Sequence, residues 1–434
     1  MSDTVGGGDS VDSIGCDDSV DTVDSAVTVA PVAMARVSAI GLMSGTSVDG
    51  VDGVLVTLDA GNSPRASVPA GASGPQDSSI SPDSPVGIAI ESTVHLDFPA
   101  AVRDQINALI ARPASADIDS VGRLHTQLGR LYAQAANRLK QAAGEPAPAV
   151  IGCHGQTIRH GPDGEFPFTW QLGNGAEVAH LTGLPVVADF RAADLAAGGQ
   201  GAPLAPAFHH AVFADPGESR AVVNLGGIAN ITHLPAAAAM AEGAAVTGFD
   251  TGPANTLLDD FCRRHFDAPF DDRGAHAGAG TVNRRLLEAL LADPYFARPP
   301  PKSCGREHFN RDWLARIIDA EREFSELPPA DVLATLTMLT AATVGDQLKR
   351  LKPAVARVYV CGGGARNRTL RAMLGARAGL EIADTAALGI APQWVEACAF
   401  AWLALQTMRR APATLPSVTG ASKPSIAGAV YFPD

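Results

Sequence analysis

Residues 40–56, Ile40-Gly41-Leu42-Met43-Ser44-Gly45-Thr46-Ser47-Val48-Asp49-Gly50-Val51-Asp52-Gly53-Val54-Leu55-Val56, form two apolar runs around a turn of Ser, Gly, Thr and Asp. Such a pattern predicts a β-hairpin. A tip built of small residues exposes backbone N–H groups and hydroxyls, which can hold phosphate without a lysine. Taken alone, the turn is equally a plain hairpin. What recurs downstream decides: residues 222–232, Val222-Val223-Asn224-Leu225-Gly226-Gly227-Ile228-Ala229-Asn230-Ile231-Thr232, are a second pair of short strands around glycines. The chain therefore repeats one unit.

At 434 residues it exceeds one typical core, and about 150 residues per domain gives two lobes as the working figure. The net charge of −13 argues against a nucleic-acid partner, because phosphate backbones need clustered Lys and Arg. An anionic ligand would need a local trap of backbone amides at glycine turns and helix N-termini. Residues 1–33 hold seven Asp and no Lys, Arg or Glu, so residues 1–36 are expected to form a disordered acidic tail. Met34 stands just before the first strand as an alternative translation start. Residues 60–86, rich in Ser, Pro, Gly and Ala, read as a loop insertion. The six cysteines have no short pair spacing, which argues against a disulfide framework and a zinc site and suits a reducing compartment. No apolar run approaches the roughly 18 residues of a membrane span, and the N-terminus is acidic where a signal peptide would be basic. The expectation is a cytoplasmic protein with no membrane partner.

Along the chain, residues 86–98 read as a third strand, followed by helices at about 101–111 and 117–143. The second helix carries Val121, Leu124, Leu128, Leu131, Ala135 and Leu139 at helical spacing. Residues 149–157 read as one buried strand ending in His154-Gly155-Gln156, a position where α/β sheets bind ligands. The run from Trp170 through Gln171 to Asn174 is expected to open a helix at 175–182. Residues 185–188 form a strand that ends in Asp189-Phe190-Arg191, and residues 198–203 a flexible stretch before the second lobe. In that lobe, residues 246–249 lead to Asp250-Thr251-Gly252 at a strand-to-helix junction, with Pro253 as the first helical residue. Residues 358–361 lead to Gly362-Gly363-Gly364 and Asn367 before a helix at 368–374. The helix at 394–408 is apolar nearly all round, with Glu396 its only charged residue. A lone acid there needs a cation, water or a ligand hydroxyl. Three strand-glycine junctions together with the hairpin repeat point to a nucleotide clamped between two related lobes.

The order of these motifs resembles the ATPase superfamily of sugar kinases, actin and Hsp70 chaperones. Within it, Met43-Ser44-Gly45-Thr46-Ser47-Val48-Asp49-Gly50-Val51-Asp52, Ala188-Asp189-Phe190-Arg191, Asn224-Leu225-Gly226-Gly227-Ile228-Ala229-Asn230 and Phe249-Asp250-Thr251-Gly252-Pro253 resemble the anhydro-N-acetylmuramic acid kinases. So do Pro300-Pro301-Lys302-Ser303-Cys304-Gly305-Arg306-Glu307 and Leu415-Pro416-Ser417-Val418-Thr419-Gly420-Ala421. The resemblance runs from about Ser38 to the C-terminus. Family members usually carry Gly where Ala254 stands and Thr where Cys304 stands.

The resemblance implies an α/β fold of two ribonuclease H-like lobes, residues 37–210 and 211–434, with a nucleotide cleft between them and the last helix packed back toward the first. It implies ATP- and Mg²⁺-dependent opening of the 1,6-anhydro ring of a recycled cell-wall sugar, giving N-acetylmuramic acid 6-phosphate. That places the chain in peptidoglycan recycling and amino sugar catabolism, and admits a homodimer. By the same resemblance Asp189 is the catalytic base. Gly45, Thr46, Ser47, Val48, Asp49, Gly50, Val51 and Asp52, with Asp250, Thr251 and Gly252, hold phosphate and metal; Asp49 and Asp250 reach Mg²⁺ through water. Gly362, Gly363, Gly364 and Asn367 hold adenosine. His154, Gln171, Asn174, Arg191 and Glu396 are the sugar-side candidates, and Arg191 either lowers the Asp189 pKa by charge pairing or binds substrate. A levoglucosan-type kinase would share these motifs. A non-catalytic ATP-dependent clamp would not need an Asp and an Arg at a reaction centre.

Overall fold

The computed structural model describes residues 36–45, 47–59, 86–113, 117–305 and 308–433. The acidic tail, Thr46, residues 60–85 of the insertion and the Arg306-Glu307 pair lie outside the described residues. β1 (Arg36–Met43) pairs antiparallel with β2 (Gly50–Asp59), Ile40 facing Leu55 and Leu42 facing Gly53, and β2 pairs antiparallel with β3 (Ile88–Asp97). The hairpin expected from the sequence is therefore the start of a three-stranded meander. α1 (Ala100–Ala111) and α2 (Ile118–Ala142) follow. The Asp117 carboxylate caps α2 by accepting from the Ser120 N–H at 3.0 Å. Val121, Leu124, Leu128, Tyr132, Ala135 and Leu139 bury its apolar face in one core with Ile40, Leu42 and Leu55 of the hairpin. Next come β4 (Ile151–Cys153), the hairpin of β5 (Gln156–Gly161) and β6 (Phe168–Leu172), α3 (Gly175–Thr182) and β7 (Val186–Ala188). β4 joins β1 in parallel, and β7 joins β4 in parallel.

The second half repeats this plan. After α4 (Ala205–Phe213), an antiparallel meander is formed by β8 (Arg220–Leu225), β9 (Ile228–Leu234) and β10 (Thr247–Pro253). α5 (Asn255–His265), α6 (Pro294–Ala297) and α7 (Pro329–Arg350) precede β11 (Arg357–Cys361), α8 (Arg368–Ala378), β12 (Ile382–Asp384), α9 (Val395–Met408) and β13 (Ala429–Tyr431). β11 runs parallel to both β8 and β12. The order β3-β2-β1-β4-β7 of the first sheet is matched by β10-β9-β8-β11-β12 in the second, and β13 adds antiparallel outside β7. This is the α/β fold of two ribonuclease H-like halves. No described helix is long and apolar enough to cross a membrane.

α9 lies backbone-to-backbone on the first sheet. A Cβ on Gly41 would stand 1.9 Å from the Ala397 carbonyl oxygen, and one on Gly152 would stand 2.1 Å from that of Phe400. Elsewhere the helix packs with Phe208 of α4 and with Val222 and Leu234 of the second sheet in a shared core. Burial on every side explains its almost uniformly apolar sequence.

Two local expectations change, and one run gains a strand. The strand expected over 149–157 ends at Cys153, because Gly155 takes φ 78° and turns the chain into the separate β5–β6 hairpin. The helix expected at 175–182 is present as α3, and Trp170, Gln171 and Leu172 before it lie in β6. Asp250-Thr251-Gly252 lies within β10, not at its junction with a helix, and Pro253 ends that strand while α5 starts at Asn255. Pairing with β9 runs from Asp250 opposite Asn230 to Gly252 opposite Ala229, so Thr251 is an extra residue in a β-bulge.

Candidate active site

At the tip of the first hairpin Val48 has φ 57° and is wholly buried. A β-branched residue in the left-handed region is strained, and here the strain is held by insertion of its side chain into the core beside Val51 and Leu55. Pinning Val48 inward leaves Ser47 and Asp49 exposed. The Ser47 hydroxyl and the Gly50 N–H both donate to Asp49 Oδ1, at 2.8 and 3.0 Å. Ser44 is buried; its hydroxyl bonds that of Tyr132 and also reaches the Gly155 carbonyl at 3.3 Å. Gln156, also buried, donates to the Gly45 carbonyl at 3.4 Å, and its Oε1 has no partner among the described residues. Asp52 on β2 bonds the His95 ring at 2.8 Å. Burial lifts the Asp52 carboxyl above its ordinary value, against the bond and charge of His95; Asp49 pushes it up and Arg366 pulls it down.

Asp250 brings a carboxylate from the second sheet, with its Oδ2 accepting from the Cys304 N–H at 3.0 Å. Thr251 donates to the Ala229 carbonyl at 3.1 Å. Gly362, at φ 76°, and Gly364 are required by packing: a Cβ on the first would stand 2.3 Å from Asn224 Oδ1, and one on the second 2.7 Å from Leu225 Cβ. Of the three glycines only Gly363 keeps an open approach, with Asn255 Nδ2 3.6 Å away. Asn224 Oδ1 is buried and has no partner among the described residues, so an acceptor waits beside the glycine turn. Asn367 caps α8, its side chain accepting from the Leu370 N–H at 2.9 Å, and Asn174 caps α3 in the same way through Ala176 and Glu177. Gln171 donates to Thr169 at 2.8 Å and to Thr157 at 3.3 Å on the β5–β6 hairpin.

Arg191, His154 and Glu396 form the middle of the site. His154 is buried and packs at a tilt against Phe400 of α9, ring centroids 4.5 Å apart. Its Nδ1–H donates to the Gly155 carbonyl at 2.8 Å, which leaves Nε2 as the acceptor for Arg191. Burial, followed by the Arg191 charge, holds this ring well below the ordinary histidine range, so it is neutral. Arg191 Nη1 also donates to the Gly201 carbonyl at 2.8 Å. The guanidinium is lowered by burial and raised by the charges of Glu396, Asp250 and Asp194. Burial raises Glu396, which Arg191 pulls down and Asp52 pushes up.

These charges join the two sheets: Asp52 with Arg366, Arg191 with Asp250, and Asp49 with Asp259, whose carboxyl burial pushes up to about 6. Asp189 behaves differently. It has φ 55° at the end of β7 and is exposed, and partial burial is the cause that raises its carboxyl. Arg191 is turned toward His154 and Gly201, so the carboxylates whose charge it feels are Glu396, Asp250 and Asp194. Sequence reading missed Arg366 and the Cys304 amide. Only their nearness in space to Asp52 and Asp250 marks them.

ATP chemistry fits this donor set: an exposed hydroxyl and carboxylate at the first tip, an orphaned amide oxygen at the glycine turn, and carboxylates from both halves. Among the described residues no group of three or more His, Cys, Asp or Glu could hold a metal ion. Asp49 and Asp250 suit Mg²⁺ as hard oxygen donors, an ion that keeps several waters and is bound by one or two carboxylates with substrate phosphates.

Residues 83–433 match the family model described as anhydro-N-acetylmuramic acid kinase. An anhydro-N-acetylmuramic acid kinase of Xanthomonas campestris pv. campestris is 46% identical over 395 residues, covering 90% of this chain and 96% of that one. One of Bordetella petrii is 48% identical over 395 residues, covering 90% and 95%. Among solved structures, xylulose kinase from Rhodospirillum rubrum overlaps with a TM-score of 0.38 at 12% identity, covering 92% of this chain and 94% of the other. That overlap is loose, and the sequence matches carry the assignment.

Proposed function

The chain belongs to the anhydro-N-acetylmuramic acid kinase family, and from that premise we propose that it opens the 1,6-anhydro ring of anhydro-N-acetylmuramic acid with ATP. Water adds at C1, the C1–O6 bond breaks, and O6 takes the γ-phosphoryl group, leaving ADP and N-acetylmuramic acid 6-phosphate. The observation that best supports this is the 46–48% identity with anhydro-N-acetylmuramic acid kinases over 90% of the chain.

Water is a weak nucleophile for an acetal carbon, and a positioned carboxylate that takes its proton contributes about 10²- to 10⁴-fold. Asp189, which ends β7 at φ 55° and is open to solvent, is assigned as this base, and Asp250, which a backbone amide orients, is assigned to the phosphate and metal side. Glu396 and Arg191 are assigned to the sugar side, with His154 behind Arg191, and Gln171 and Asn174 border that side from β6 and α3. Gly45 through Asp52, Thr46 included, take the phosphates with Thr251 and Gly252, while Gly362, Gly363, Gly364 and Asn367 form the adenosine wall. Mg²⁺, held near Asp49 and Asp250 through water, would neutralise phosphate charge. The reading includes two lobes dividing near residue 210, a place in peptidoglycan recycling and amino sugar catabolism, a cytoplasmic setting and a homodimer.

The test is mass spectrometry of the product made from ATP and anhydro-N-acetylmuramic acid in ¹⁸O-water. Label at C1 with phosphate at O6 is expected. Phosphorylated sugar with an intact anhydro ring would overturn the proposal, and turnover confined to levoglucosan would move it to that substrate.

A further inference from the structure

Leu415-Pro416-Ser417-Val418-Thr419-Gly420-Ala421 is one of the motifs shared with the kinases, and the reaction as described gives it no task. Within it, Pro416–Thr419 forms a single helical turn. One side of that turn is seated on the second sheet: the Ser417 hydroxyl donates to the Val246 carbonyl just before β10 at 2.7 Å, and a Cβ on Gly248 would stand 3.3 Å from Val418 Cγ1. Its other side reaches the first half. There the Thr419 hydroxyl donates to Asp194 Oδ1 at 2.8 Å, and the Thr419 carbonyl accepts from the Gln200 N–H at 2.8 Å.

Asp194 lies on the helical turn Ala192–Ala196, which starts directly after Arg191. It is wholly buried. A buried carboxylate without donors is costly, and two donors meet this one, the Thr419 hydroxyl at Oδ1 and the Gly201 N–H at Oδ2, each at 2.8 Å. The chain closes on it so tightly that a Cβ on Gly199 would stand 2.3 Å from Oδ2. Gly201, at φ 66°, directs its carbonyl to Arg191, accepting from Nη1 at 2.8 Å. A continuous line therefore runs from the Thr419 hydroxyl through the Asp194 carboxylate and the Gly201 backbone to the Arg191 guanidinium, every link 2.8 Å long. With Nε and Nη2 directed at His154, the Gly201 carbonyl is the second fixed point of a planar group that needs two.

We propose that Thr419 and Asp194 are positioning residues for the sugar: the hydroxyl holds the carboxylate, the carboxylate holds Gly201, and Gly201 holds Arg191 in its binding orientation. The proposal rests on the reading of Arg191 as a sugar-side residue. Because Ser417 ties the same turn to the second half, an arginine of the first half takes its orientation from a segment that both halves hold.

Thr419→Val keeps the shape and removes the hydroxyl. With ATP and anhydro-N-acetylmuramic acid as substrates, the sugar KM should rise about tenfold while the ATP KM stays within about twofold and kcat within about threefold. Thr419→Ser keeps the hydroxyl and should stay within about twofold of wild type on all three. An unmoved sugar KM in Thr419→Val overturns the proposal, as does an equal rise in the ATP KM, a Thr419→Ser as impaired as Thr419→Val, or a Thr419→Val chain that no longer folds. Arg191→Lys in the same assay separates the two readings, since lysine cannot reproduce the planar contacts. An unchanged sugar KM in that variant removes Arg191 from the sugar side, whereas a raised one beside an unaffected Thr419→Val overturns the brace alone. In the double variant the sugar KM should lie within about twofold of Arg191→Lys by itself, because residues acting along one line are not additive; fully additive effects overturn the proposal.

Discussion

The Arg191 guanidinium donates to Nε2 of His154 through both Nε, at 3.2 Å, and Nη2, at 2.9 Å. An unprotonated histidine nitrogen is thus the seat of the arginine that faces the carboxylates. His154 is committed to the Gly155 carbonyl on one side and to Arg191 on the other.

Asp189→Asn keeps shape and loses basicity. Its kcat should fall by at least about 10²-fold, roughly 2.7 kcal/mol of barrier, with ATP and sugar still bound. Steady-state kinetics checks this, and turnover within a few-fold of wild type would move the base to Glu396.

Asp49→Asn keeps the acceptor for Ser47 and Gly50 and removes a charge next to the phosphates. Metal-dependent activity should weaken, seen as a higher Mg²⁺ concentration at half-maximal rate, with the first sheet still folded. An unchanged Mg²⁺ titration would remove Asp49 from the metal side.

Glu396→Gln removes a charge paired electrostatically with Arg191 on a helix buried on nearly every side. The sugar KM should rise by more than stability falls. A loss of about 3–5 kcal/mol in stability at unchanged kinetics would identify a structural ion pair instead.

Stability should fall in acid through the buried histidines. Burial pushes His209 down to about 3, and His154 also lies well below the usual range. Unfolded histidine takes a proton below about 6.5, so between there and the folded values the unfolded chain holds the extra proton and folding weakens as pH drops, by up to ~1.4 kcal/mol per pH unit per histidine. Urea midpoints at pH 7 and pH 5 measure this. His209→Gln should flatten the slope, and equal slopes would refute the assignment.

The hairpin repeat was legible because apolar alternation and turn chemistry are local, and α9 because a helix without a polar face has to be buried. Asn174 and Asn367 carried a readable signal as well: each directly precedes a helix, where an asparagine caps. The β5–β6 hairpin was hidden because Gln156 and Thr157 continue the run of β4 and only the φ of Gly155 separates them. The two strand-end aspartates looked alike for another reason. In the sequence each follows a short apolar run, yet Asp189 ends β7 while Asp250 lies inside β10, a difference set by how distant segments pair.

Gly41 and Gly152 leave no compressible side chain between α9 and the first sheet. The helix can neither slide by a turn nor roll without lifting off two strands at once. Glu396 therefore has fixed coordinates in the frame of β1 and β4, while Asp250 rides on β10. A side chain grown at either glycine would be felt at Glu396, carried outward with the helix that both strands support.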